Sequence, residues 1–438
     1  MALPMTEQAD VAIVGGGFTG AALACARADG RRRSVVFEAR RTPSARFAGE
    51  LLHPTRLGVF DDALLTRLRR RGADVLGFAV VPEPGRPATL LPYRAASPDA
   101  PLGLGSEHAV LVEELRRAAA ERPGVELRFG ARAEVTYHEG RAIGVRTGEG
   151  DRVNADLVLG AEGRHSPLRA QLGLPAATRL VSFTAALRVR KAELPHAGFG
   201  HVLLGAPGPI LAYPIGPGDV RMCFDLASNP HLPSVPARLR AQYAPAVPEP
   251  LRSAMLRSLD GDGEELQLVA NHAVRTTGCV APGVALVGDA GGCAHPLTAA
   301  GMSVCLNDVQ VLADELARSR PSVAALRRFE LRRYRFARTR ETLTDALYEL
   351  VSHTGECGPA LRGALFNYWR SARARSASIA LLSGEDSSSL ALGREWSRVL
   401  VGAATLVARG ASGPRVAALG DLLALTGARF QRMLHAHD

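Results

Sequence analysis

Val11-Ala12-Ile13-Val14-Gly15-Gly16-Gly17-Phe18-Thr19-Gly20 is an apolar tetrad running into a glycine turn. Residues 11–14 read as a buried strand, and the alanine-rich stretch 21–28 reads as a helix. Residues 34–37 read as a second strand, ending at Glu38. Strand, turn, helix and strand make a βαβ unit. Gly15, Gly17 and Gly20 have G-x-G-x-x-G spacing. The first allows a tight turn, the second lets backbone approach a pyrophosphate, and the third permits close helix packing. Phe18 and Thr19 open the helix, where free N–H groups and the dipole favour an anion. Glu38, followed by Ala39 and Arg40, stands where a carboxylate bonds ribose hydroxyls. An acid there repels a 2′-phosphate and disfavours NADP in this site.

Val284-Ala285-Leu286-Val287-Gly288-Asp289-Ala290 is another buried strand, ending in Gly-Asp. His295-Pro296-Leu297-Thr298-Ala299-Ala300-Gly301-Met302 then leads into a helix over about 302–318. Asp289, with Gly288, suits ribityl or ribose hydroxyls. The helix start at Gly301 and Met302 suits the flavin N1–C2=O edge, where reduction places negative charge. A nicotinamide dinucleotide has no such part, so FAD is the expected cofactor. No His or Cys context marks an attachment site, so binding is expected to be non-covalent.

Residues 134–137, 142–146 and 152–159 read as an antiparallel meander returning to the first domain. The stretches 180–190, 201–204, 210–215, 220–226 and 266–274 form a second β-rich region, and 80–101 reads as proline-rich and irregular. After residue 322 the apolar periodicity is helical. The expected fold class is α/β (α+β overall), with a discontinuous Rossmann-like FAD domain over 1–175 and 270–345. A β-rich substrate domain over 176–269, with part of 76–105, is inserted into it, and 346–438 form a C-terminal helical region.

Composition excludes several classes. The 438 residues are 47% hydrophobic and 22% charged, as in an ordinary globular protein. The net charge of +10 is arginine charge, since Lys191 is the only lysine. The arginines are dispersed and aromatics make up 5%, so stacking platforms for nucleic acid are scarce. Attraction to anionic membrane surfaces remains open. Cys25, Cys223, Cys279, Cys293, Cys305 and Cys357 form no C-x-x-C pair, which argues for reduced packing residues over metal ligands. Residues 1–10 carry Glu7 and Asp10 and no apolar core, so no secretory signal is expected. The apolar run 399–408 is half of the ~20 residues that a spanning helix needs. Cytoplasmic localisation is expected, with peripheral membrane contact through 399–408 as a further expectation.

A third segment, Asp156-Leu157-Val158-Leu159-Gly160-Ala161-Glu162-Gly163-Arg164-His165-Ser166-Pro167-Leu168-Arg169, resembles the A-D-G-x-x-S-x-x-R segment of flavin monooxygenases, with Glu162 in place of Asp. With the two dinucleotide segments, the chain resembles FAD-dependent monooxygenases of the aromatic-hydroxylase superfamily, and most of all squalene monooxygenase (squalene epoxidase). Arg46-Phe47-Ala48-Gly49-Glu50-Leu51-Leu52-His53-Pro54 is similar to that family's R-x-x-G-E-L-L-Q-P. Tyr213-Pro214-Ile215 through Arg221-Met222-Cys223-Phe224-Asp225 is similar to its Y-Q-I…R-x-L-V-D, and residues 295–304 to its H-P-L-T-G-G-G-M-T-V. Thr342-Leu343-Thr344-Asp345-Ala346-Leu347-Tyr348-Glu349-Leu350 and Leu381-Leu382-Ser383-Gly384 extend the resemblance, which runs in order from about residue 8 to 400.

The resemblance implies a hydroxybenzoate-hydroxylase-like fold. It implies that Arg46 contacts the phosphate or ribose side of FAD, and that Gly288, Asp289, Gly301 and Met302 line the flavin. The implied reaction moves one oxygen of O₂ from a flavin C(4a)-hydroperoxide to a lipophilic olefin or a prenylated or polyketide substrate of secondary metabolism. Epoxidation or hydroxylation results. NADPH or NADH is the implied electron source, directly or through a flavin reductase. The alternative is a flavin-dependent isoprenoid reductase of the geranylgeranyl-reductase type. A halogenase is disfavoured, because no W-x-W-x-I-P and no lysine after the glycine motif are present.

His53 stands where the family has Gln, Thr55-Arg56 replaces Gly-Gly, and Ala299-Ala300 replaces two glycines. His108 or Val110 replaces an arginine, and Glu385-Asp386-Ser387 replaces a proline-rich stretch. His53 and Tyr213 are the candidate substrate-side residues. His53 with Thr55-Arg56 leads to the expectation of a substrate more polar at one end than squalene. His295 reads as a loop-fixing residue.

Overall fold

The computed structural model of the chain describes residues 7–409, apart from 28–31, 96–98, 100, 175, 228–229, 262–265, 319 and 353–356, together with residue 420. The expected helical stretch beyond 409 lies outside the described residues except at Gly420.

Val11, Ala12 and Ile13 have no exposed surface, as befits a strand covered on both faces. Their strand, Glu7–Val14, is central in the first sheet. Ser34–Glu38 and then Val125–Phe129 lie parallel on one side of it, with Arg152–Gly160 and then Val284–Leu286 parallel on the other. The carboxyl ends therefore share one edge: Val14 is level with Phe37 and Gly160, and Gly160 with Leu286. In open parallel sheets ligands bind outside that edge. The hairpin Ala133–His138 and Arg141–Thr147 extends the sheet through Arg152–Gly160.

The Phe18–Arg27 helix packs between this sheet and the helices His108–Ala120 and Gly301–Arg318. Its Ala21, Ala22 and Ala24 are fully buried, so small side chains let the helix sit close. Gly20 admits no side chain, since a Cβ there would lie 1.8 Å from the Gly15 carbonyl oxygen.

The second sheet runs in the order Leu266–Thr276, Ala176–Arg190, Asp219–Leu226, Ile210–Gly216, Gly200–Leu203, Gly77–Val81 and Thr89–Pro92. Its two faces follow strand periodicity. Ala212, Met222 and Phe224 face one core with Tyr243, Leu251 and Met255; Tyr213, Ile215, Phe78 and Val80 face another with Leu361, Trp369 and Trp396. The second of these cores is completed by the helices Val323–Ser352, Cys357–Tyr368, Ala372–Ser383 and Ser389–Arg409.

Three expectations change in detail. Residues 80–101 are not irregular throughout, because Gly77–Val81 and Thr89–Pro92 pair as strands while Pro82, Pro84 and Pro87 occupy the turn between them. The division at 269–270 falls inside the strand Leu266–Thr276, which pairs along Ala176–Arg190. The stretch 176–269 also contains the helix Leu251–Asp260, whose apolar side covers the second sheet.

Candidate functional site

A cavity of about 930 Å³ opens at the carboxyl edge of the first sheet and reaches the second sheet. Gly15, Gly17, Phe18, Thr19, Glu38, Ala39, Arg40, Arg46, Asp289, Gly301, Met302 and Tyr213 line it. Gly20, Gly288 and His53 are not among its lining residues. Gly20 and Gly288 instead serve close packing: a Cβ on Gly288, which has φ +59°, would meet Thr19 Oγ1 at 2.5 Å.

The glycine turn is held from outside the local sequence. Gly16 N–H donates to Glu38 Oε2 at 2.8 Å, and Arg40 N–H to Oε1 at 2.8 Å. Arg116, eight residues beyond His108 on the same helix, donates through Nε to Gly16 O at 2.7 Å. Its guanidinium lies 3.4 Å from Glu38 and over the Phe129 ring. Sequence reading missed Arg116, whose partner is 100 residues away. His108 lines the cavity and bonds Gly49 O through Nδ1 at 2.8 Å.

The turn at Gly288–Gly291 is clamped on all sides. Asp308 Oδ2 accepts from Gly288 N–H at 2.8 Å and from Arg333 Nε at 2.9 Å, while Arg333 Nη2 donates to Gly288 O at 3.0 Å. Arg169 bridges Ala290 O at 3.0 Å and Arg164 O at 2.8 Å, joining the turn to the Glu162–Ser166 loop. Ser166 caps the short helix after that loop, its Oγ accepting from Arg169 N–H at 3.2 Å while donating to Glu162 at 2.5 Å. The clamped turn delivers the Asp289 carboxylate to the cavity, with no hydrogen bond from any described residue. Burial raises the pKa of Asp289, against the pull of Arg164, Arg333 and His108.

These features fit FAD. A Cβ at Gly17 or Gly301 would meet nothing within 4 Å, so both helix starts face open space, and their first N–H groups have no partner within the helix. The unengaged Asp289 carboxylate lines the same cavity, available to accept from hydroxyls. Ala299 takes φ +51° just before the second helix start. That left-handed conformation is free of penalty for the glycine of the family pattern and costs alanine about 1 kcal/mol.

On the side towards the second sheet Glu50 and Tyr213 line the cavity, and Glu50 is paired with Arg221. Arg221 donates to both Glu50 oxygens, at 2.8 and 2.9 Å, with the two side chains 5% and 2% exposed. Tyr213 donates to Glu50 at 3.4 Å, and burial holds its phenol well above the ordinary range, so it stays protonated. Nearby, Leu297 N–H donates to His295 Nδ1 at 3.1 Å, which leaves the ring proton on Nε2, facing Ser182 Oγ at 2.8 Å and Asp225 at 3.3 Å. His295 therefore fixes the loop before Gly301.

His53 is buried and fully engaged. Thr298 O, at 2.9 Å, can only accept, so the proton sits on Nε2 and Tyr93 donates its hydroxyl to Nδ1 at 2.7 Å. Burial pushes its pKa down to about 4, with Thr298 opposing the shift and Arg340 reinforcing it. Thr55 and Arg56 likewise turn elsewhere: Thr55 donates to Ser383 O at 2.9 Å, and Arg56 stacks on Phe336. His53, Thr55 and Arg56 line neither this cavity nor the smaller chamber beside it.

A second, smaller chamber of about 110 Å³ adjoins the first, and Val202 and Leu297 line both. Its walls are Phe78, Val80 and Leu91 of the second sheet and apolar side chains of the C-terminal helices, including Leu365, Leu381 and Val399.

The family model for squalene epoxidase matches residues 154–412. Squalene epoxidase 2, mitochondrial, of Arabidopsis thaliana is 32% identical over 398 residues, covering 86% of this chain and 66% of that protein, so the chain spans about two thirds of its length. Squalene epoxidase 3 of the same plant is 30% identical, with 86% and 74% covered. Squalene epoxidase erg1 of Aspergillus fumigatus is 30% identical, with 83% and 79% covered. Among solved structures, a p-nitrophenol 4-monooxygenase from Pseudomonas putida DLL-E4 superposes with TM-score 0.73 at 20% identity, over 87% of this chain and 100% of that one. Klebsiella pneumoniae HpxO, complexed with FAD and uric acid, gives 0.71 at 19%, over 85% and 97%. These two likenesses bear on fold, and they match the hydroxybenzoate-hydroxylase-like architecture expected from the sequence.

Two expectations follow from the site. Purified protein is expected to carry non-covalent FAD. Gly17→Val places a side chain in the open space above the turn, and Asp289→Ala removes an acceptor, so each is expected to lower bound flavin at least tenfold (about 1.4 kcal/mol). Absorbance at the flavin band after gel filtration measures this; full flavin content in both variants contradicts the assignment. The second concerns His53, whose pKa falls from 6.5 in the unfolded chain to about 4 in the fold. Its contribution is complete above pH 6.5 and is lost as pH falls towards 4, a change of about 3 kcal/mol. Glutamine keeps one donor and one acceptor, so His53→Gln is expected to remain folded with a flatter stability profile across pH 6.5–4 in denaturant titrations. An unchanged profile contradicts it.

Proposed function

The chain belongs to the squalene epoxidase family, and on that premise we propose that it is an FAD-dependent monooxygenase inserting one oxygen atom from O₂ into a lipophilic molecule with an isolated or prenyl-type double bond. The observation that supports this most is the junction at Val202 and Leu297, where a cavity suited to a flavin dinucleotide meets an apolar chamber. Bound FAD would supply electrons and the activation of O₂.

The chain's own residues bind, orient and exclude water. The Gly17 turn and the N-terminus of Phe18–Arg27 receive the pyrophosphate, with Arg46 on its phosphate or ribose side. Glu38 and Asp289 accept from hydroxyls, and the helix start at Gly301-Met302 stabilises negative charge on the ring edge. Phe78, Leu381, Val399 and their neighbours keep the adjoining chamber dry, which protects a reactive oxygen species from water. Epoxidation of an olefin needs no side-chain base. Accordingly His53 is neutral with both nitrogens engaged, and Tyr213 is held protonated.

NADPH or NADH is the proposed electron source, directly or through a flavin reductase. We also propose peripheral contact with anionic membranes through Ser389–Arg409. There Leu390, Val401 and Leu406 are 82%, 67% and 41% exposed beside Arg394 and Arg398, a composition suited to an interface. Among the described residues no helix is long and apolar enough to cross a membrane.

Holoprotein given reductant, a flavin reductase and ¹⁸O₂ is expected to add one ¹⁸O to terpenoid or prenyl-aromatic olefins, read by mass. Oxygen insertion confined to simple phenolic acids, or saturation of a double bond without O₂ uptake, overturns the proposal. For the membrane contact, co-sedimentation with phosphatidylserine vesicles is expected at low salt; none at any ionic strength refutes it.

A further inference from the structure

The Val323–Ser352 helix passes along both cavities. Ala337, Glu341 and Thr344, spaced i, i+4 and i+7, turn one stripe of it to the large cavity, while Leu343, Leu347 and Val351 line the small chamber. The other polar groups on the cavity side are engaged. Thr344 exchanges a hydrogen bond with Thr298 at 2.7 Å. Arg340, which also lines the large cavity, donates to Leu381 O and, at 2.8 Å, to Asp386 O.

Glu341 is the exception. Its carboxylate has no hydrogen bond and no ion pair with any described residue. Nor are its oxygens sealed in, as the unpaired Asp308 Oδ1 and Glu114 Oε2 are. Burial raises its pKa, while Arg275, Arg333 and Arg338 pull the other way from beyond contact distance. Those cations are committed elsewhere: Arg275 to Asp345 at 2.5 Å, Arg333 to Asp308 at 2.9 Å, and Arg338 over the Tyr334 ring. A desolvated carboxylate without a donor is costly, and buried acids are normally paired.

We infer that Glu341 takes a hydrogen-bond donor of the substrate, a hydroxyl or an ammonium, at the end that stays outside the apolar chamber. This rests on the proposed oxygen insertion at the junction of the two cavities. An ionised carboxylate only accepts, so its partner is a donor, and an anionic end is repelled. The cofactor's hydroxyls have Glu38 and Asp289, which stand on other elements, whereas Glu341 shares its helix with the chamber wall. At 1.5 Å per residue, Glu341 lies about 9 Å from Leu347 and about 15 Å from Val351 along the helix axis. One elongated molecule therefore reaches from the chamber, past Leu297, to Glu341. A pure hydrocarbon leaves the carboxylate desolvated and unpaired, so the site favours the analogue with a donor.

Farnesol, farnesylamine and farnesene share one carbon chain and end in a hydroxyl, an ammonium and neither. Their binding to the holoprotein is read from the change in flavin fluorescence. Farnesol or farnesylamine is expected to bind more tightly than farnesene, and the tighter of the two identifies the donor. Glu341→Leu removes the acceptor and keeps an apolar side chain of similar size. It is expected to weaken that probe about tenfold and farnesene less than twofold, with flavin content unchanged. Glu341→Ala gives the same readout should the leucine variant fold poorly. An equal effect on all three probes, or no effect on any, overturns the inference. Loss of bound flavin in both variants places the carboxylate with the cofactor and also overturns it. Tightest wild-type binding of farnesene overturns it and leaves the oxygen-insertion proposal standing. Binding of none of the three overturns both.

Discussion

The buried ion pair between Asp308 and Arg333 holds the turn on which the cofactor site depends. Asp308 has no exposed surface and Arg333 is 5% exposed; one sits on each of two successive helices, and together they grip the N–H and C=O of Gly288. Burial pushes Asp308 up to about 6, against the opposing pull of Arg333 beside it. Such a pair seldom out-stabilises well-packed apolar residues, whereas removing one partner costs about 3–5 kcal/mol. Its effect is placement. Gly288 takes a left-handed conformation against Thr19, and the next residue, Asp289, lines the cavity. Glu50 and Arg221 likewise tie the loop after Arg46 to the second sheet.

What was legible in the sequence was local. The strand, glycine turn and helix at 11–27 announce themselves through their apolar run and glycine spacing, with Gly20 packed on the Gly15 carbonyl five residues earlier. The family resemblance and the hydroxybenzoate-hydroxylase-like fold read from these motifs agree with the family model and the solved structures. What was not legible depends on distant partners. Arg116 steadies a turn 100 residues earlier, and nothing in its own helix marks it. His53 looked like a substrate-side residue in a motif, yet its partners are Tyr93, 40 residues on, and Thr298, 245 residues on. The proline-rich stretch after Gly77 concealed two strands because its prolines crowd the turn between them.

Two departures from the family pattern lie at the same helix end. Thr55, where the family has glycine, donates to Ser383 O, and the Glu385-Asp386-Ser387 stretch that replaces prolines is tied to Thr339 and Arg340 through its backbone carbonyls. Thr55 thus contacts the end of the Ala372–Ser383 helix, and the 385–387 stretch just beyond that end is held by the Val323–Ser352 helix; none of these residues lines the two cavities.

The central claim is that a flavin ring lies where the two cavities meet. A crystal structure of the purified holoprotein tests it most directly. FAD is expected with its hydroxyls on Asp289 and its reactive ring edge open towards Val202 and Leu297. Loss of flavin on purification under all conditions, or a ring turned away from that junction with the apolar chamber closed off behind it, would contradict the account.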